Sequence, residues 1–98
     1  MRRHKSYDEQ LADELKDKSF AREYFLGLIE GEDGLDIEDA LIHTIRRMGV
    51  KEFSEVSGIH EKSISRMING RVSPTRETLD QYLAPFGLKT KVILEEVA

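Results

Sequence analysis

Residues 56–70 read VSGIHEKSISRMING, and the fold turns on how that stretch is parsed. Gly58 separates two short helical patterns, residues 50–57 and 60–69, and Asn69 and Gly70 stop the second. A steep corner between two short helices asks for apolar residues at the contact, a small one where backbones approach, and a turn residue tolerant of positive φ. Phe53, Ile59, Ile64 and Met67 meet the first demand, Ser54 the second and Gly58 the third. Ser57 is polar where an apolar residue is more usual, with Val56 next door to compensate. The stretch predicts two helices joined at a tight turn.

On a wheel of about 100° per residue, Ile64, Met67 and Ile68 share one side of the second helix. Lys62, Arg66 and Asn69 lie opposite, Ser65 sits on the flank, and His60 and Glu61 stand at the N-terminal end. Any surface helix has a polar face, but an ordinary one balances its charges at i,i+4 spacing. Here Gly58 precedes Lys62 by four residues and Gly70 follows Arg66 by four, so no acid offsets either cation. A long, hydrogen-bonding, net positive face suits the major groove of DNA. There Arg or Lys can bond guanine O6 and N7, and Ser or Asn can take a base edge or a phosphate. Glu61 repels phosphate; its place is better explained by the helix N-terminus it favours than by a cytosine contact.

The chain around this corner has 98 residues, enough for one domain with a modest core. It has no cysteine, so disulfides and thiolate metal sites are excluded and a reducing cytoplasm is expected. No apolar run approaches the roughly 18 residues of a membrane span, and no signal-peptide core follows MRRHK. The net charge is −4, but it is unevenly spread. Arg46, Arg47, Lys51, Lys62, Arg66, Arg71 and Arg76 meet only Glu52, Glu55 and Glu61 in residues 46–76, a local +4 that leaves −8 elsewhere. Six of the ten residues in EGEDGLDIED (30–39) are acidic. A charge run is usually just a solvated surface, yet a polyanion responds to local charge within a Debye length.

Outward from the corner, Ser6 and Glu9 have capping-box spacing before a short helix through Leu15. Asp17 can cap a second helix, in which Phe20, Tyr24 and Leu28, with Phe25 and Ile29, recur until Gly31. GEDG (31–34) is a connector. Asp36 opens a third helix with Ile37, Leu41, Ile45 and Met48 on one face, and Gly49 ends it. His43 falls on the opposite face beside Arg46 and Arg47, where solvent exposure is expected. RVSPT (71–75) reads as a loop with Thr75 as cap and Pro74 just ahead of the helix start. Leu79, Tyr82, Leu83 and Phe86 mark a last helix ending at Gly87. LKTKVILEEV (88–97) then turns β-branched with near alternation and predicts a strand, with Lys89 and Lys91 as guards of an exposed edge. A lone strand would have to pair with a symmetry mate or a partner. The expected fold is all-α: a bundle of five to six helices around a helix-turn-helix, with one short C-terminal β-strand. Its parts are an N-terminal helical segment (1–34), a helix-turn-helix domain (35–87) and a strand for dimerisation (88–98), all in one compact domain.

SGIHEKSISRMINGRVSPTRETLDQYLAPFG (57–87) resembles the Xre/Cro-type, lambda-repressor-like helix-turn-helix of phage repressors and their bacterial relatives. The shared marks are the turn glycine, the I-S-R helix, the N-G stop and the P-T helix start. The wider order adds LADELKDKSFAREYFLGLIEGED (11–33) before the corner and GLKTKVIL (87–94) after it. That order resembles HigA-type antitoxins, and within them the short addiction module antidote proteins, over about residues 7–96. The resemblance implies a homodimeric antitoxin that binds double-stranded operator DNA, represses its own operon and binds a RelE/ParE-like toxin; no cofactor is expected. By position, the base-reading and phosphate-contacting places of the family fall on His60, Glu61, Lys62, Ser65 and Arg66, with Lys51 and Arg71 near the DNA backbone, and the wheel adds Asn69 to the DNA-binding set. His60 stands where Ser or Thr is usual and Glu61 where Gln or Arg is commoner, so no operator sequence transfers. The alternative is a protein-interaction module that keeps the corner without reading DNA, motivated by the acidic N-terminal half. An enzyme is not expected: His4, His43 and His60 are scattered, and no metal-ligand spacing, nucleophile motif or phosphate loop is present.

Overall fold

Among the described residues, five of the six α-helices begin where a side chain can accept a hydrogen bond from the unsatisfied N–H groups of the first turn. The computed structural model describes residues 6–31, 34–71 and 73–97. Within them run α1 (Tyr7–Glu14), α2 (Lys18–Ile29), α3 (Ile37–Met48), α4 (Val50–Ser57), α5 (Glu61–Ile68) and α6 (Arg76–Leu83), closed by a 3-10 turn (Ala84–Phe86). Ser6 Oγ accepts from the Glu9 amide at 3.2 Å, Asp17 Oδ1 from Phe20 at 3.1 Å, and Asp36 Oδ1 from Asp39 at 2.8 Å. Thr75 Oγ1 takes the Thr78 amide at 3.2 Å. The exception is α4, which follows α3 directly through Gly49 and has no side-chain cap. His4 with the rest of MRRHK, Glu32 and Asp33 of the connector, Val72 of the loop, and Ala98 lie outside the described residues.

The third helix is the hub. Ala40, Leu41, Thr44, Ile45 and Met48 are buried along it, and α1, α2, α4 and α5 all pack against it. Thr44 is tolerated in this core because its hydroxyl donates to the Ala40 carbonyl at 2.8 Å. Ile37, expected on the same face, is exposed, since it lies at the first turn beyond the reach of the neighbouring helices. Four aromatic rings bind the N-terminal helices to the corner. Phe25 of α2 stacks on Phe86 at 5.5 Å between centroids, Phe86 meets Phe53 of α4 at 6.1 Å, and Phe53 stacks on Tyr82 of α6 at 5.8 Å. An Asp8–Arg47 ion pair at 3.1 Å joins α1 to α3; Asp8 is largely and Arg47 partly solvated, which keeps it to about 1 kcal/mol or less.

Three further expectations are corrected. In α2, Phe25 is buried and Tyr24, Leu28 and Ile29 pack partly buried against the core as expected, but Phe20 turns partly to solvent and Ala21 is buried beside Phe25. Apolar residues occupy two overlapping stripes of that helix, and the position of Phe86 selects between them. His43 is not simply solvent-exposed. It is half-buried with its ring stacked on Tyr24, 6.2 Å between centroids and 13° from parallel.

The C-terminal strand does not form: the described residues contain helices and turns but no strand, and 88–97 follow an irregular path. Leu88 donates its amide to Leu83, and Thr90 is tied to Asp80 of α6 by both its amide and its hydroxyl, each at 2.7 Å. Beyond that tie Val92, Ile93, Leu94 and Val97 are 63–98% exposed. Alternating β-branched residues supply a preference for a pleated surface, but a strand exists only as part of a ladder. The described chain offers no second extended segment to complete one. Among the described residues, no helix is long and apolar enough to cross a membrane.

Candidate functional site

Residues 49–71 make the corner, and its turn is built from two serines around one peptide. Gly58 takes φ 75°, a left-handed conformation that would cost an L-residue about 1–2 kcal/mol, and its amide closes α4 on the Ser54 carbonyl. Ser54 Oγ donates to the Ile59 carbonyl at 2.6 Å, and Ser57 Oγ accepts the Ile59 amide at 3.1 Å. Ser57, the residue that broke the apolar pattern, therefore satisfies a backbone donor that the turn would otherwise leave unpaired. Ile59 lies half-buried against the core.

The next helix leaves this turn with its own cap. His60 Nδ1 accepts the Lys62 amide at 3.2 Å. An accepting Nδ1 carries no proton, so in the neutral ring the proton sits on Nε2, which is left as an outward donor. His60 thus fills the Ser/Thr role by different chemistry. Ile64 and Met67 are buried under α5 and Ile68 is half-buried, which sets the rotation of the helix. At the far end Gly70 takes φ 71°; its amide reaches the Met67 carbonyl and that of Arg71 the Arg66 carbonyl, at 3.1 and 3.0 Å.

That rotation brings most of the expected residues onto one surface. His60, Glu61, Lys62, Arg66 and Asn69 are exposed on α5 and its caps, and Ser65 is half-buried on the flank. Glu61 occupies the first turn, where a carboxylate favours the helix dipole. Lys51, in the first turn of α4, and Arg71, just past α5, are exposed on the flanking backbone. Among the described residues none of Lys51, Lys62, Arg66 and Arg71 takes part in a salt bridge, so their charges face solvent.

Two groups of contributors were not read from the sequence. Ser63, Thr78 and Pro74 join Arg66, Met67 and Tyr82 around a groove of about 270 Å³ between α5 and α6. Ser63 precedes Arg66 by three residues, a helical neighbour spacing that offered the one local hint. Burial pushes the Tyr82 phenol above its ordinary range. The second is the Arg76–Thr90–Asp80 tie behind the groove: Arg76 Nε donates to Thr90 Oγ1 at 3.2 Å, and the two hydrogen bonds from Thr90 hold the Asp80 carboxyl below the usual carboxylate range.

Residues 47–93 match a family model described as helix-turn-helix, a span that takes in α4, α5, α6 and the first part of the tail. No curated protein and no solved structure matches the chain.

Proposed function

We propose that the helix-turn-helix of residues 47–93 reads double-stranded DNA, with α5 in the major groove and the chain acting as a sequence-specific transcription regulator. One observation carries this: α5 exposes Lys62, Arg66 and Asn69 together, with no salt bridge to either cation among the described residues, on a helix capped at both ends. In this reading Arg66 and Lys62 take guanine O6 and N7, and Asn69 and Ser65 take a base edge or a phosphate. The His60 Nε2–H is a further donor, and Lys51 and Arg71 hold the phosphodiester backbone. A homodimer would set two such helices roughly 34 Å apart, in successive major grooves.

The biological role within this reading is the antitoxin and autorepressor of a type II toxin–antitoxin module in the cytoplasm. Two features support it: the resemblance along residues 7–96, and a body whose acidic N-terminal half complements a basic, RelE/ParE-like toxin. Residues 1–34 serve the toxin and residues 35–87 the operator.

Fluorescence anisotropy on the chain's own promoter, against scrambled competitor at two salt concentrations, tests the DNA reading. Selective, salt-weakened binding that falls by about 1–3 kcal/mol in Arg66→Ala is expected. Equal affinity for promoter and scrambled DNA overturns it and turns attention to the acidic half as a protein-binding surface.

A further inference from the structure

The C-terminal end of α5 is anchored from outside the segment that matches the family model. Every helix leaves its last four carbonyls without an intrahelical partner. In α5 these belong to Ser65, Arg66, Met67 and Ile68. The first three receive the amides of Asn69, Arg71 and Gly70, which are local donors. The fourth receives a side chain 22 residues earlier: Arg46 Nη2, on the last turn of α3, donates to the Ile68 carbonyl at 2.8 Å.

We propose that Arg46 is a positioning residue for DNA recognition, fixing the tilt of α5 against α3 so that Arg66 and Asn69 meet base edges in register with Lys62; this rests on the DNA reading above. Leverage is the reason. Ile64 and Met67 fix which face of α5 turns inward, but two apolar contacts allow a short helix to rock on the core. An eight-residue helix is about 12 Å long, so a swing of about 10° about the Gly58 turn, which two serines hold, carries its last residues by about 2 Å. Side chains that recognise a partner tolerate only about 0.5 Å of displacement. A directional hydrogen bond from the hub helix to the far end of α5 opposes that swing. The guanidinium suits this position because it carries permanent charge, which favours a helix C-terminus, and its planar donors are directional. Arg46 stands one residue before the matched span, so the tilt of the reading helix belongs to the body of the molecule and not to the corner alone.

The experiment separates positioning from a direct phosphate contact. The full chain is compared with Arg46→Met, which keeps the length and loses donor and charge, and with Arg46→Lys, which keeps charge and a single donor. Arg46 is solvent-exposed, so both variants are expected to fold, and circular dichroism checks this. Affinities for promoter and scrambled DNA are measured across a salt series, and amide exchange is followed along α5. Positioning predicts that the promoter-to-scrambled ratio of Arg46→Met falls about tenfold, with Arg46→Lys intermediate. It also predicts an unchanged salt slope and faster exchange at the C-terminal end of α5. Parallel weakening on both DNAs, with a slope smaller by about 0.9, makes Arg46 a phosphate contact and overturns the proposal. An unchanged ratio overturns it as well. A parent chain that does not prefer its promoter overturns the DNA reading itself, and this inference with it.

Discussion

The second helix of the corner, α5, and the C-terminal tail are both short and both carry strong local patterns, yet only one became regular structure. α5 has eight residues, too few to be stable alone in water. Residues 91–97 hold four apolar side chains in a run with strand character. The difference lies in what each finds elsewhere in the chain. α5 finds a His60 cap, a glycine stop, a carbonyl partner in Arg46 and a core that buries Ile64 and Met67. The tail finds Asp80 for Thr90 and, beyond that, only solvent. Local preference names a candidate, and nonlocal partners decide whether it forms.

The sharpest way to break the contrast is to remove the floor beneath the corner. Phe53 is fully buried between Phe86 and Tyr82, so Phe53→Ala is expected to cost about 3–5 kcal/mol, read as a lower urea midpoint. A loss under about 1 kcal/mol would mean that the ring stack is not what holds α4 and α6 together.

The cap of α5 gives a smaller effect and a cleaner partition. His60→Ala should cost about 1 kcal/mol of stability by freeing the Lys62 amide, whereas His60→Ser, which can still cap, should stay close to the parent. If both lose equally in thermal melts, the imidazole matters for something other than its accepting nitrogen.

The smallest effect is at the tail. Asp80 titrates below its ordinary value of 3.8 because it accepts two hydrogen bonds from Thr90. A depressed carboxylate favours the docked tail fully above about pH 4, and that preference is lost as the pH falls through the lowered value. Protection of the Thr90 amide, followed by NMR, should therefore disappear in acid while the α3 amides remain protected. Simultaneous loss of both would merge the tail with the core and erase the contrast.

Much of the helical frame was legible because capping is local. Ser6, Asp17, Asp36 and Thr75 could each be named from residues within three positions of them, and each accepts the expected amide. The corner was legible for the same reason, down to Gly58 and the small residue at Ser54. The inward stripe of α2 was legible only in part. Phe25, Tyr24, Leu28 and Ile29 turn inward, but Phe20 does not and Ala21 does. Phe20–Tyr24 and Ala21–Phe25 both have helical spacing, and only the ring of Phe86 chooses. The strand misled because pairing is a property of two segments and the pattern described one. Arg46 left no mark at all: a backbone carbonyl accepts from any arginine that reaches it, and reach is set by the packing of α3 on α5.

The aromatic stack has an optical consequence. The chain has three tyrosines and no tryptophan, so its near-ultraviolet signal comes chiefly from tyrosine. Tyr7 is 79% exposed, Tyr24 is half-buried, and Tyr82 is 3% exposed, flat against Phe53 at the edge of the α5–α6 groove. Burial raises the Tyr82 phenol above 10.0, so the fold is favoured while that phenol is neutral and loses the advantage as the pH climbs through its raised value. In an alkaline titration the absorbance change of Tyr82 is expected above pH 10.0, as is that of Tyr24, whose phenol burial also raises. The molecule therefore carries its own dye next to the helix proposed to read DNA, where changes in that helix can be followed without a label.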